Sequence, residues 1–340
     1  MSEIKQHWQK IELNEILSIS SKKFNPISNN ENKKCVELEH LSQETGKLLG
    51  YTNSSEQQSI KNSFEEGQIL FGKLRPYLKK FWKAEFEGVC SSEIWVMNGK
   101  KVKNDFLFYL VQTEKFNQIA NVSSGSKMPR ADWNYMSEIP FDIPPLKEQE
   151  KIAEILTTWD EAITKQTELL RAKELQKKAL MQKLLSGEVR FNGFNDVWQE
   201  IRLDKLVFFQ EGPGVRNTQY RKSGVKLLNV GNLNNNILNL SSTETYISEE
   251  EAYGVYKHFL VDEGDLLISC SGINSESFKK KIAFVKKEHL PLCMNTSTMR
   301  FKNLKNKLLL EYLYFFFQTL FFEKQVFGVL TGSAQFNFGP

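Results

Sequence analysis

The chain has 340 residues, a formal net charge of +4, 40% apolar residues and 25% charged residues. These proportions are typical of a globular protein, and the length is sufficient for two domains of about 150 residues, each with its own core. The chain contains no uncharged apolar run of about 18 residues that would span a bilayer, and it begins with a polar segment rather than a signal peptide, so a cytoplasmic location is expected.

The first informative elements are a strand and a basic segment. Residues 67–71 have the composition of a strand, and residues 73–83 interleave cations with aromatic side chains. Cations neutralise phosphates and aromatic rings offer flat faces near bases, so this segment is a candidate nucleic-acid contact. A strand edge that lysines protect against aggregation is an equally weighted alternative.

A second strand, a helix and a loop follow. Residues 93–97 predict a strand, and residues 104–117 predict a helix that packs by its aromatic face. Residues 123–130 form a glycine-containing loop with small hydrogen-bonding side chains. Such a loop could approach a phosphate backbone closely, although a simple tight turn explains the same residues.

A long helix is the clearest local prediction. Pro144 and Pro145 bar a helix upstream, and from Lys147 onward apolar residues recur at helical spacing until Gly187 ends the helix. A helix of nearly forty residues is about 55–60 Å long, which is more than one small domain needs. The segment is therefore interpreted as a spacer.

The apolar stripe of this helix predicts a partner. Its members are Ile152, Ile155, Leu156, Trp159, Ile163, Leu170, Leu180 and Leu184. Polar residues such as Lys173 interrupt the stripe, so a specific partner fits better than a lone exposed helix. Acidic residues predominate in the first half and basic residues in the second, so two such helices laid antiparallel would pair opposite charges. The alternative is an amphipathic helix that caps one domain.

After the helix the sequence repeats itself. Residues 7–13 return as 197–203, residues 105–113 return as 311–319, and residues 124–126 return as 331–333. Three anchors in the same order indicate two related domains. The second copy also has predicted strands at 264–268 and 298–301, a helix at 308–325, and basic runs at 279–281 and 286–287. We expect an α+β fold in which two similar mixed domains are joined by one long α-helix.

The segment Ile143-Pro144-Pro145-Leu146-Lys147-Glu148-Gln149-Glu150-Lys151-Ile152-Ala153 resembles the start of the conserved helix in specificity subunits of type I restriction-modification enzymes. Residues 183–191 resemble the end of that helix, and residues 67–77 resemble a recurring stretch of the family's target-recognition domains. The resemblance implies a subunit with no catalysis of its own. Two recognition domains would each read half of a split double-stranded DNA site, and two helical regions packed antiparallel, as a coiled-coil spacer, would fix the gap.

The same resemblance implies partners and their cofactors. Methylation subunits would bind the helical scaffold and supply an adenine methyltransferase, and a restriction subunit would supply ATP-driven translocation and cleavage. S-adenosylmethionine, ATP and magnesium would then belong to the partner subunits, with none in this chain.

By position, residues 1–145 would be the first recognition domain, residues 146–190 the central helix and residues 191–340 the second recognition domain. The candidate DNA contacts are basic or polar residues in loop-like stretches: Lys73, Arg75, Tyr77, Lys79, Lys80, Ser126, Lys127 and Arg130 in the first domain, and Arg216, Asn217, Asn274, Lys279, Lys280 and Gln335 in the second. The family pattern would continue with another helix after Pro340. Three explanations of that departure are open: a truncated gene product, an engineered chain, or a homodimer whose helices pair in trans through residues 147–185.

The sequence also bears on other functional classes. An adenine methyltransferase would need Asp or Asn before a Pro-Pro pair and an aromatic residue after it, and Pro144-Pro145 lacks both. No Gly-Lys-Ser/Thr phosphate loop is present, and Gly212-Pro213-Gly214 lacks the context of one. The cysteines and histidines have no metal-ligand spacing, so reduced, structural cysteines and no metal are expected. A nuclease with dispersed carboxylates and a coiled-coil adaptor that binds only protein remain as alternatives.

Overall fold

The structure is a computed structural model that describes residues 7–29, 31–122, 128–272, 277–296, 298–304 and 307–328. The chain divides into two compact units, residues 1–168 and 169–340, and the boundary lies inside the long helix. Within the described residues, none of the helices combines the length and the apolar character that crossing a membrane requires.

The first unit is a mixed α and β domain. Its strands are β1 (Gln9–Glu12), β2 (Leu17–Ile19), β3 (Lys23–Phe24), β4 (Lys34–Val36), β5 (Thr52–Asn53), β6 (Lys61–Phe64), β7 (Ile69–Gly72), β8 (Phe81–Lys83), β9 (Gly88–Cys90), β10 (Ile94–Gly99) and β11 (Pro140–Ile143). Its helices are α1 (Leu13–Ile16), α2 (Asn104–Leu110), α3 (Glu114–Ala120), α4 (Trp133–Ser137) and α5 (Leu146–Leu185), which continues into the second unit.

Two sheets build the core of this unit. One is antiparallel in the order β2-β10-β7-β8, and the other has the order β3-β6-β9-β4-β5 with a parallel β4-β9 pair. All four residues of strand β7 are buried. Because successive side chains of a strand point to opposite faces, both faces of β7 are covered. Ile69 and Phe71 enter one hydrophobic cluster with α2 and α3, and Leu70 enters another with Trp82. A separate pair, β1 with β11, leads into α5.

The second unit repeats this plan. Its strands are β12 (Val207–Glu211), β13 (Val225–Leu227), β14 (Leu233–Asn234), β15 (Ile237–Leu238), β16 (Tyr246–Ile247), β17 (Leu266–Ser269), β18 (Ile282–Phe284), β19 (Leu292–Cys293) and β20 (Thr298–Asn303), and its helices are α6 (Glu249–Tyr253), α7 (Leu310–Phe316) and α8 (Leu320–Gly328). The sheet β12-β20-β17-β18 matches β2-β10-β7-β8 strand by strand, and β13 pairs with β19 in parallel as β4 does with β9. The predicted α+β fold with two similar domains and one long helix is confirmed.

Matching residues lie at the base of two equivalent hairpins, β7-β8 in the first unit and β17-β18 in the second. Gly67 and Gly264 have φ angles of 82° and 87°, a backbone conformation that glycine adopts without steric cost. The Gly67 amide donates to the Ala84 carbonyl at 2.7 Å, and the Gly264 amide donates to the Val285 carbonyl at 2.9 Å. The repeat in the sequence therefore extends to single hydrogen bonds.

The helical pair that follows corrects the sequence prediction in both copies. A single helix was expected over 104–117 and over 308–325, but each is split in two. The Thr113 hydroxyl accepts from the Phe116 amide at 3.3 Å and donates to the Leu110 carbonyl at 2.7 Å, which caps α3 and closes α2. Thr319 makes the same pair of bonds, to the Phe322 amide at 3.2 Å and the Phe316 carbonyl at 2.7 Å.

The predicted long helix is present as α5, with 40 residues. It begins directly after Pro144-Pro145, and Gly187, at φ 74°, follows its end. Beyond Ala153 most of its side chains are exposed.

The four cysteines are free and buried. Burial raises the pKa of Cys35, Cys270 and Cys293 to about 12, so these thiols stay protonated at neutral pH. Their surroundings are those of packed core residues.

Candidate nucleic-acid interface

Two distant chain segments of the first unit form a short ribbon. The Arg75 amide donates to the Pro129 carbonyl at 2.8 Å, and the Ala131 amide donates to the Lys73 carbonyl at 2.8 Å. Leu74 faces Arg130 in an antiparallel bridge. The ribbon therefore brings Lys73 and Arg75 close to Arg130, which lies more than fifty positions later in the sequence.

The loop after the ribbon has an unusual backbone. Arg75 (φ 52°) and Lys79 (φ 46°) are both left-handed and flank a 3₁₀ turn at Pro76–Leu78. Such conformations are uncommon outside glycine and cluster at functional sites. The turn leaves Tyr77 with 53% of its side chain exposed.

The cations of this surface differ in their partners. Within residues 7–29, 31–122 and 128–168, neither Lys73 nor Arg75 forms an ion pair. Arg130 forms a fork with Glu93, with Nε and Nη2 donating to the two carboxylate oxygens at 3.0 and 3.2 Å, and this contact raises the pKa of Arg130. Lys73 and Arg75 are thus free to meet an external anion, whereas Arg130 is held in a fixed orientation.

The two remaining lysines of the first segment bind within their own domain. Lys79 pairs with Glu44 at 3.0 Å, and the Lys80 ammonium donates to the Leu38 carbonyl at 2.6 Å. Both are half-buried. Both ammonium groups therefore have partners within the first unit.

The matching loop of the second unit is longer and carries other chemistry. The sequence between β17 and β18 is longer than that between β7 and β8. In both units a backbone bond lies at its base: the Ser269 amide donates to the Lys281 carbonyl at 3.0 Å, as the Gly72 amide does to the Lys80 carbonyl at 2.8 Å. Each connection contains a 3₁₀ turn, and its first residue is buried in both units: Pro76 in the first and Phe278 in the second.

The basic residues of that loop also diverge. The Lys279 ammonium forms an ion pair with Glu323 on α8, whereas Lys280 is exposed and has no ion pair in the part of the second unit that the structure describes. The other basic pair, Lys286 and Lys287, follows β18 and lies at the opposite end of that strand.

Arg216 and Asn217 lie in an exposed turn after β12. The Arg216 amide donates to Gln219 Oε1 at 3.1 Å, which fixes the turn. A side chain at the preceding Gly212 would have its Cβ 2.2 Å from the Asn295 carbonyl oxygen, so that glycine permits close packing of two loops.

Four further candidates lie outside the described residues: Ser126, Lys127, Asn274 and Gln335.

The predicted partner face of α5 is exposed over most of its length. Ile155, Leu156, Trp159, Ile163, Leu170 and Leu180 are between 38% and 65% exposed. Ile152 instead packs against the core of the first unit, and Leu184 is half-buried.

Sequence reasoning missed the contacts that join α5 to each unit. In the first unit the Tyr109 hydroxyl donates to Asp160 Oδ2 at 2.8 Å and lies 3.0 Å from Thr157 Oγ1. In the second unit the Lys177 ammonium lies 6.0 Å from the ring centroid of Phe315. Tyr109 and Phe315 occupy the same place in the repeated segment 105–113 and 311–319, and that coincidence was the available signal. Glu93, which orients Arg130, had no signal in the sequence.

Comparison with known proteins finds similar sequences. Residues 5–172 match the family model of the type I restriction modification DNA specificity domain. Over 194 residues, 55% of the chain, it is 32% identical to the type I restriction enzyme EcoDI specificity subunit of Escherichia coli. Over 265 residues, 73% of the chain, it is 24% identical to the MjaVIII specificity subunit of Methanocaldococcus jannaschii. These matches span 43% and 60% of the two relatives.

A solved structure has the same fold. The S subunit of a type I restriction-modification system from M. genitalium aligns with a TM-score of 0.53 at 14% identity, covering 98% of this chain and 84% of that one.

Proposed function

We propose that the chain is a member of the type I restriction-modification DNA specificity family, whose domain model residues 5–172 match, and that each of its two units reads one half of a split DNA target. The observation that carries this proposal is the pairing of two copies of one fold with a single helix of 40 residues between them. Half-site separation follows from protein geometry, so a helix about 60 Å long is suited to hold two readers at a fixed spacing. Residues 1–145 and 191–340 are the two recognition domains in this account.

The contacts divide into two kinds. Lys73 and Arg75 in the first domain and Arg216 and Lys280 in the second are exposed or half-buried cations suited to phosphates, which position a protein on DNA without reading sequence. Arg130 is suited to a base edge because Glu93 fixes its guanidinium, and arginine bound to guanine is the commonest specific contact in the major groove.

Chemistry belongs to other subunits in this proposal. The chain acts as the non-catalytic specificity subunit, a methylation subunit with S-adenosylmethionine modifies adenine, and a restriction subunit uses ATP and magnesium. The direct test is duplex binding by the complex of this chain with its methylation subunit. If four cations contact phosphates, raising the salt from 50 to 200 mM weakens binding about 100-fold. An adaptor that binds only protein would show no duplex binding at either salt concentration.

The exposed face of α5 supports a helical partner. Trp159 and Ile163 are 65% and 60% exposed, and the acidic-to-basic polarity of the helix complements an antiparallel copy of itself. We propose that a second helix of this kind packs here, contributed by a second chain where the protein is a homodimer.

Two substitutions test this face. Trp159→Glu together with Ile163→Glu is expected to lower the sedimentation coefficient of the free chain to that of a monomer, because two carboxylates would be buried in the interface. Lys165→Glu, on the opposite side of the helix, is the matched control and should leave it unchanged. An unchanged coefficient in the double variant would exclude this face as the contact between chains.

A further inference from the structure

The long helix is attached to the first recognition domain well beyond its first turn. Gln149 is buried and its amide donates to the Pro144 carbonyl at 2.9 Å, which fixes the beginning of the helix. Tyr109 contacts it again at Thr157 and Asp160, and the Lys47 ammonium donates to Thr164 Oγ1 at 3.4 Å. Contacts spread over about four turns constrain the direction of a helix, whereas contacts at its first turn alone leave a hinge.

The donor and the acceptor in each hydrogen bond of the Tyr109 hydroxyl can be assigned. Burial raises the pKa of Tyr109 to about 12, so its hydroxyl keeps its proton at neutral pH. That single proton is donated to the Asp160 carboxylate, and the Thr157 hydroxyl therefore donates to the tyrosine oxygen. A bond to a charged acceptor is stronger than one between neutral groups, so Asp160 is the main point of attachment.

The ring and the hydroxyl of Tyr109 have separate partners. The ring lies edge-on to Phe108, with centroids 5.1 Å apart, and Phe108 packs against the core. Among the residues that the structure describes, the hydroxyl forms hydrogen bonds to α5 alone. Removing only the oxygen therefore loosens the helix while keeping the aromatic packing of α2.

The second unit shows the same position without the hydroxyl. Phe315 replaces Tyr109 in the repeat, and its contact with α5 is the Lys177 ammonium at 6.0 Å from the ring. That distance is at the outer limit of a cation–π contact, which is weak at exposed sites. The first domain thus has a directional attachment to the helix, and the second has a non-directional one.

We infer that Tyr109 is a positioning residue that fixes the direction in which the spacer helix leaves the first recognition domain, and so determines which gap between half-sites the protein accepts. This inference rests on the proposed function. From Asp160 to Leu185 the helix runs about 38 Å, so a tilt of about 5° at Asp160 moves its far end by about 3 Å. That displacement is about the rise of one base pair, 3.4 Å along a strand.

The experiment measures gap selectivity. The complex with the methylation subunit is given duplexes that carry its own split motif, with the gap at its natural length or one or two base pairs shorter or longer. The wild type is expected to prefer the natural gap by about tenfold or more. Tyr109→Phe is expected to reduce this preference to about threefold, with half-site preference and the rate at the natural gap within twofold of wild type.

A matched control and a second variant make the result decisive. Tyr51→Phe removes another tyrosine hydroxyl, from a ring that packs on Phe86, and should leave gap preference unchanged. Asp160→Asn weakens the same hydrogen bond from the helix side and should reduce gap preference as well. In both helix-contact variants the amides of residues 155–168 are expected to exchange faster with solvent deuterium.

The outcomes separate this inference from the proposal beneath it. If Tyr109→Phe and Asp160→Asn keep the full gap preference, the inference is overturned while the proposed function stands. If Tyr109→Phe fails to fold, Asp160→Asn decides by the same criterion. If the wild type methylates all gap lengths equally, the proposed function itself fails, and the inference fails with it.

Discussion

The two domains share a backbone plan but differ in what they present to a ligand. Gly67 and Gly264 lie at the base of equivalent hairpins, and Thr113 and Thr319 cap equivalent helices. The connections built on that frame diverge, because Arg75 and Tyr77 are exposed in the first domain, whereas in the second Phe278 is buried and Lys279 pairs with Glu323. The comparison teaches that duplication preserves the residues that close turns and cap helices, while recognition surfaces change on top of them.

The largest difference in stability between the two domains is expected when a large core side chain is removed from one of them. Phe71 is fully buried against Trp95 and Phe116, and Phe71→Ala is expected to destabilise the first domain by about 3–5 kcal/mol. The loss lowers its unfolding midpoint by about 10 °C and should leave the transition of the second domain in place. Differential scanning calorimetry of the full chain resolves the two transitions.

The matched change in the second domain is at the same register position. Ile268→Ala removes a buried side chain from β17 and is expected to cost the second domain about 2–5 kcal/mol. If either variant shifts both transitions equally, the two domains do not unfold independently.

A smaller loss of stability is expected when the helix caps are removed. Thr113→Ala and Thr319→Ala each remove a side-chain bond to a helix N-terminus, and each is expected to cost its own domain about 1 kcal/mol. The hydrogen bonds of the two caps match, but Thr319 is buried and Thr113 is exposed, so the loss for Thr319→Ala should be the larger of the two. Thermal unfolding of both variants checks this, with Thr158→Ala on the exposed side of α5 as the control.

Much of the fold was legible in the sequence because it depends on local signals. The strands around Leu70 and Leu267 follow from short apolar runs, and α5 follows from the proline pair and helical periodicity. The break at Thr113 was missed because the aromatic pattern continues across it, and the cap depends on a single hydroxyl.

The candidate site was harder to predict from the sequence because the residues that contact one another there are distant along the chain. The ribbon that joins Arg75 to Pro129 and the fork between Glu93 and Arg130 need the folded backbone. The sequence identified the basic residues of the first loop as candidate contacts, but it could not separate Lys73, which has no ion pair among the described residues, from Lys79, which is paired with Glu44.

The central claim is that each copy reads a different half of one split site. Its most direct test is a map of methylated adenines by long-read sequencing, in a methylation-free host that expresses the methylation subunit with the wild type or with Arg130→Ala. A split motif is expected for the wild type. Arg130→Ala should relax one half of the motif and leave the other half and the gap unchanged, because Arg130 is the proposed base-edge contact of the first domain. If Arg130→Ala alters both halves, or alters neither while the domains remain folded, the claim is contradicted.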